Sequence, residues 1–158
     1  MTAIERVGFP EFPAAIPMTH LKELSRKIEA REARVGVIGL GYVGSVAAAG
    51  LAKAGHDVLG IDVDAEKIRA YRAGSIAIYE PGLAELIHYG VGSGKLRFLH
   101  SQEVAEPLGE AILITTGTPT TESGAADSSQ AKSALAWIRE QRASGGAIFM
   151  KSTVPPGT

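Results

Sequence analysis

Val35-Gly36-Val37-Ile38-Gly39-Leu40-Gly41-Tyr42-Val43-Gly44 is the stretch on which the reading of this chain turns. Its first four residues are small or β-branched, as in a parallel strand buried on both faces. They run into Gly-x-Gly-x-x-Gly, and the segment from Ser45 to Ala54 has the composition of a helix. Strand, glycine turn and helix in this order form a dinucleotide-binding fingerprint. Gly39 gives the tight turn, Gly41 lets the backbone approach a pyrophosphate, and Gly44 lets helix and strand pack closely. The start of the helix then offers unpaired N–H groups and a positive dipole end to phosphate.

In a chain with 19 glycines the bare motif arises easily by chance, so its surroundings carry the weight. A second strand, Asp57 to Ile61, ends at Asp62. A carboxylate about 20 residues beyond the motif, at the next strand's tip, is placed to accept hydrogen bonds from an adenosine ribose. The alternative is a cofactor-free α/β domain whose glycines only shape the turn. Asp64 is expected to cap a helix through Ala73, ended by Gly74. Lys67 lies early in it, and either reaches the ribose or is a solvated helix lysine.

At 158 residues the chain fits one domain and buries roughly 70% of its unfolded surface. The net charge of −1 does not suggest nucleic acid or an anionic membrane as partner. Without cysteine there is no disulfide, thiolate metal site or cysteine nucleophile in this chain. No apolar run reaches transmembrane length and the N-terminus does not resemble a signal peptide, so a cytoplasmic protein is expected.

Met1 to Pro17 reads as a loose arm, and a helix capped by Thr19 is expected from His20 to about Ala33. Residues 1–33 thus form an arm and helix, and 34–158 the cofactor domain. Pro81 suits the first position of a helix from Gly82 to about Tyr89, followed by a turn at Gly90-Val91-Gly92-Ser93-Gly94. A strand at Leu96 to Leu99, a short helix within Ser101 to Pro107, and a strand at Ala111 to Thr115 come next. Thr121 to Ala126 is flexible in composition. Asp127 is expected to cap a helix to about Arg142, broken by Gly145-Gly146, before the strand Ala147 to Met150. His20, His88 and His100 have no metal-ligand spacing and read as surface or packing residues. Strands separated by helices give a Rossmann-type, doubly wound parallel sheet with helices on both faces. In such sheets ligands bind beyond the carboxyl ends of the strands. The hydroxyls of Thr116, Thr118 and Thr120, and those of Ser152 and Thr153, fall at those ends.

Further motifs extend the fingerprint: Gly60-Ile61-Asp62-Val63-Asp64 with Lys67-Ile68, Ile78-Tyr79-Glu80-Pro81-Gly82-Leu83, Gly117-Thr118-Pro119-Thr120, and Lys151-Ser152-Thr153-Val154-Pro155-Pro156-Gly157-Thr158. Together they resemble the NAD-binding amino-terminal domain of the UDP-glucose/GDP-mannose dehydrogenase family, from about Arg34 to the end. The resemblance implies oxidation of a nucleotide sugar's C6 alcohol to a carboxylate with two NAD, through an aldehyde and a cysteine thioester. It implies that Gly39, Gly41, Tyr42, Val43 and Gly44 hold the pyrophosphate, and that Asp62 binds the adenosine ribose with Lys67 beside it. Thr118 would line the cofactor and Ser152 would lie near the nicotinamide. Thr153 would be catalytic, orienting the water or reacting oxygen. The partner would be a UDP-sugar held by another domain, and the parent a homodimer or larger homo-oligomer. The family's catalytic Glu, Lys, Asn and Cys are expected beyond Thr158, so the chain reads as a fragment that binds NAD without turnover.

Four positions depart from the family pattern: Ala77, His100, Ser101 and Thr116. Ile-Tyr-Glu-Pro-Gly-Leu favours UDP-glucose, whereas the helix before Val35 resembles relatives acting on UDP-N-acetylhexosamines. A stand-alone NAD(H)-binding module is the rival from another class. A hydroxyacid or phosphogluconate-type dehydrogenase shares the first strand–helix–strand unit but leaves Tyr79 to Leu83 and Lys151 to Thr158 unexplained.

Overall fold

In the computed structural model, residues 17–76, 78–122, 124–141 and 146–154 are described. Five parallel strands form one sheet: β1 (Arg34–Ile38), β2 (Asp57–Asp62), β3 (Leu96–His100), β4 (Ala111–Ile114) and β5 (Ala147–Met150), in the order β3-β2-β1-β4-β5. The chain builds outward from β1 to β3, then returns to β4 on the other side of β1. The carboxyl ends of β1 and β4 therefore flank the switch point, where such sheets open a crevice.

Helices α2 (Tyr42–Ala54), α3 (Ala65–Arg72) and α4 (Leu83–Gly92) cover one face, and α5 (Ser129–Glu140) packs on the other. Alternation along the strands divides the core. Val35, Val37, Val58 and Phe98 pack with Ala48, Ala52, Ile68 and Ile87 on the first face. Ile38, Leu59, Ile61, Ile112 and Ile114 pack with Ala134 and Ile138 on the second. Full burial of one such aliphatic side chain contributes roughly 1.5–3 kcal/mol. The amino-terminal helix α1 (Met18–Glu29) adds Leu24 to the first cluster.

Several expected boundaries shift for physical reasons. α1 starts at Met18, one residue before the expected Thr19 cap, because Pro17 occupies the cap position at φ −54°. It ends before Ala33 because Arg31 turns left-handed (φ 61°) and the N–H of Glu32 bonds back to Lys27 O. α4 runs through Gly90, where a turn was expected. Gly90 serves close packing: a Cβ there would lie 2.9 Å from Leu96 Cβ and 3.3 Å from Ala52 Cβ. Pro81 lies before the cap Gly82, outside the helix. α5 starts at Ser129, whose N–H donates to Asp127 Oδ1 at 2.8 Å, so the carboxylate caps from one position further out. The connection from β3 to β4 holds only a 3₁₀ turn, Ser101–Glu103. Thr121 to Ala126, flexible in composition, closes on itself: the N–H of Thr121 donates to Ala125 O at 2.8 Å, and Thr120 bridges Ala126. The expected arm up to 16, Ala77, the break at 142–145 and the last four residues lie outside the described residues.

Candidate functional site

The glycine turn is gripped by both neighbouring strands. Gly39 takes φ 94°, which only glycine adopts cheaply, and its N–H donates to Ile61 O of β2 at 2.8 Å. The buried Thr115, just past β4, donates its hydroxyl to Gly39 O (2.7 Å) and lies 3.0 Å from Ile38 O. A Cβ at Gly44 would collide with the Gly39 carbonyl oxygen and lie 2.7 Å from Thr115 Oγ1, so helix and strand meet only through glycine. Gly41 differs: a Cβ there meets nothing within 4 Å. It stands at the N-cap of α2 and supplies no side-chain cap, so among the described residues the first-turn N–H groups stay open, as an anion requires.

Asp62, at the tip of β2, is nearly buried with 7% of its surface exposed. Its Oδ2 accepts from the Leu40 N–H at 2.7 Å and from Lys67 Nζ at 2.9 Å, and its Oδ1 from the Asp64 N–H at 3.0 Å. A carboxylate has about four lone-pair sites, so one remains, on Oδ1, for a ligand hydroxyl. Burial pushes this carboxyl up, but the Lys67 ammonium and the two backbone N–H groups outweigh it and hold it below the ordinary aspartate value. Lys67 therefore faces Asp62 and is not a freely solvated helix lysine.

These groups open onto a cavity of about 670 Å³ beyond the carboxyl ends of the strands. Gly39, Gly41, Asp62 and Lys67 line one side. The other wall comes from α5: Gln130, Ser133 and Trp137, which sequence reading did not single out although their i, i+3, i+7 spacing places them on one helix face. Thr116 lines it as well, and its Oγ1 is a buried hydroxyl without a partner among the described residues.

The remaining expected site residues are arranged differently. Tyr42 is half exposed and donates its hydroxyl to Glu80 Oε2 at 2.6 Å, which raises the phenol's pKa and ties the loop of Tyr79-Glu80-Pro81-Gly82 to the glycine turn. Val43 is exposed beside it. Ser152 donates to Thr116 O at 2.7 Å, joining the exits of β4 and β5. Thr118 is half-buried and Thr153 exposed, and neither they nor Ser152 line the cavity. His100 holds two strand tips together, its Nε2 lying 2.9 Å from Val63 O, while His20 and His88 are exposed. Among the described residues no cluster could hold a metal ion, and no helix is long and apolar enough to cross a membrane.

A glycine turn at the switch point, a strand-tip carboxylate and a shared cavity define a Rossmann-type dinucleotide-binding domain. The family model described as "UDP-glucose/GDP-mannose dehydrogenase family, NAD binding domain" matches residues 33–158. The chain belongs to this family, and its cofactor is NAD. It is 40% identical over 125 residues to the UDP-glucose 6-dehydrogenase TuaD of Bacillus subtilis (strain 168), covering 79% of this chain and 27% of that protein. It is 36% identical over 128 residues to the GDP-mannose 6-dehydrogenase of Pseudomonas savastanoi pv. phaseolicola, covering 79% of this chain and 29% of that one. Among solved structures, a UDP-glucose dehydrogenase from Pyrobaculum islandicum aligns with TM-score 0.74 and 39% identity, over 80% of this chain and 30% of that one. The chain thus spans just over a quarter of the length of the curated relatives it matches.

Proposed function

We propose that this chain is the cofactor-binding part of a nucleotide-sugar 6-dehydrogenase, and that the sugar nucleotide is UDP-glucose, oxidised to UDP-glucuronate with two NAD. The observation that carries the proposal is the convergence on one cavity of the open first turn at Gly41 and the locked carboxylate of Asp62. In this reading the backbone from Gly39 to Gly44, including Tyr42 and Val43, receives the pyrophosphate. Asp62 accepts from the adenosine ribose through its remaining lone pair, with Lys67 holding the carboxylate. Thr118 lines the cofactor, Ser152 and Thr153 lie near the nicotinamide, and Thr153 orients the water or the reacting oxygen. NAD supplies the hydride acceptor, and the chain's own residues bind and orient it.

UDP-glucose is favoured by Ile78-Tyr79-Glu80-Pro81-Gly82-Leu83 and supported by the likeness to TuaD. A second reading, a UDP-N-acetylhexosamine, is favoured by α1 preceding the first strand. The proposal carries with it a cytoplasmic, homo-oligomeric whole protein whose sugar nucleotide is held by residues outside this chain.

Titration of the chain with NAD and NADP tests the cofactor assignment, with tighter NAD binding expected. A carboxylate at Asp62 accepts from ribose hydroxyls and repels a 2′-phosphate. Mixing the chain with NAD and UDP-glucose, then with UDP-N-acetylglucosamine, is expected to give no NADH, because no cysteine is present to form the thioester. Sustained NADH production by these 158 residues would sink this division of labour.

A further inference from the structure

Ser45 and Tyr71 form a hydroxyl pair beneath the glycine turn that neither the dinucleotide fingerprint nor the family motifs contain. Ser45 is the fourth residue of α2 and fully buried; Tyr71 comes from α3 and is 3% exposed. Their oxygens are 2.5 Å apart. The two hydroxyl hydrogens have few places to go. That of Tyr71 can reach Ser45 Oγ, or Leu40 O at 3.4 Å. That of Ser45 can reach Gly41 O at 2.8 Å and Leu40 O at 3.1 Å. The shortest set of bonds runs Tyr71 to Ser45 to the turn carbonyls, and each bond in such a chain polarises the next.

The consequence follows from the planar trans peptide, in which C=O and the next N–H point in opposite directions. The peptide joining Gly39 and Leu40 is held at both ends, its oxygen by Thr115 and its N–H by Asp62. The next two peptides are held at one end only. The single Ser45 hydroxyl hydrogen is shared between Leu40 O (3.1 Å) and Gly41 O (2.8 Å), and Gly41 O also accepts the Ser45 N–H at 2.9 Å; with both oxygens held inward, the N–H groups of Gly41 and Tyr42 turn outward. No hydrogen bond to either N–H is found among the described residues.

We propose that Ser45 and Tyr71 are positioning residues for cofactor binding: they aim the Gly41 and Tyr42 amides at the NAD pyrophosphate. This rests on the assignment of the pyrophosphate to the glycine turn. Tyr71 acts through Ser45 and touches no ligand. Its ring stacks on Phe98 with centroids 4.9 Å apart, so Tyr71→Phe removes the hydroxyl and keeps the packing.

The test titrates the full chain, Tyr71→Phe, Ser45→Ala and the double variant with NAD, ADP and adenosine, after thermal melts have established that each is folded. Loss of one hydrogen bond predicts affinity for NAD and ADP lowered about three- to tenfold in either single variant. Adenosine, which has no pyrophosphate, should bind all four proteins alike, and the double variant should be no weaker than Ser45→Ala. Unchanged NAD and ADP affinity in both single variants overturns the proposal, as does an equal loss for adenosine, which would mark general loosening. If a variant fails to fold, the other single variant decides. If Gly41→Val binds NAD and ADP as the parent chain does, the pyrophosphate assignment itself fails, and this proposal with it.

Discussion

The two ends of the sheet use charge in opposite ways. At the amino ends of the strands, ions are paired with one another: Arg34 with Asp57 (2.9 Å), Arg97 with Glu106 (2.6 Å) and Lys27 with Glu110 (2.5 Å), while Glu110 also accepts the Arg34 N–H at 2.8 Å. These side chains are roughly a third exposed, a setting in which such pairs contribute about 0–1 kcal/mol each. At the carboxyl ends one buried carboxylate, Asp62, is satisfied mainly by backbone and one lysine, and the neighbouring amides face a cavity. One end closes the domain. The other holds its polar groups in place and leaves the Thr116 hydroxyl and the Gly41 and Tyr42 amides without a partner among the described residues, an arrangement a ligand can use without first reordering the chain.

The largest effect that would sharpen this contrast is Gly44→Ala. Its methyl group would strike the Gly39 carbonyl and Thr115 Oγ1, neither of which can move without breaking the turn. Destabilisation of about 3 kcal/mol or more is expected by chemical denaturation. Gly41→Val should do the reverse: NAD binding is lost while the melting temperature stays near that of the parent chain, since the added side chain meets open space. Normal NAD affinity in that variant would remove the glycine turn from the phosphate site.

Acid should separate the two ends less sharply. The folded Asp62 carboxyl lies below the ordinary value of 3.8, so its contribution is present above that pH and is lost as pH falls through the folded value. NAD affinity, followed by titration at decreasing pH, is expected to drop only in that acidic window. An earlier loss, between pH 5 and 7, would point to another group. The smallest effect is expected from Glu106→Gln, which weakens the pairs with Arg97 and Arg34. Stability should fall by about 1 kcal/mol or less, with NAD affinity unchanged; a change in affinity would mean the two ends are coupled.

What could be read from residues alone follows a physical divide. β1, the turn and β2 are legible because each rests on local chemistry: small and β-branched residues for buried strands, glycine where φ is positive, a carboxylate at a strand tip. Asp62 is legible for the same reason, whereas sequence leaves Lys67 open between the ribose and solvent, and the structure pairs it with Asp62. Thr115, Ser45 and Tyr71 are not, because hydroxyl residues have no periodic signature and their partners lie up to 77 residues away. Ser152 marks a further limit. Its hydroxyl donates to Thr116 O, a bond between two strand exits that no local pattern announces. Gly90 reads as a turn from sequence because glycine signals both freedom and closeness, and only the neighbouring Leu96 and Ala52 decide between them.

Trp137 gives the domain a property of a different kind. It is the chain's one tryptophan, and it lies in the wall of the cavity on α5, opposite Asp62 and Lys67. All indole emission of these 158 residues therefore originates at the candidate site. Reduced nicotinamide absorbs in the region where indole emits, so occupancy can be followed by quenching and energy transfer without any attached label. The variants above can then be compared through an optical signal that the chain itself carries.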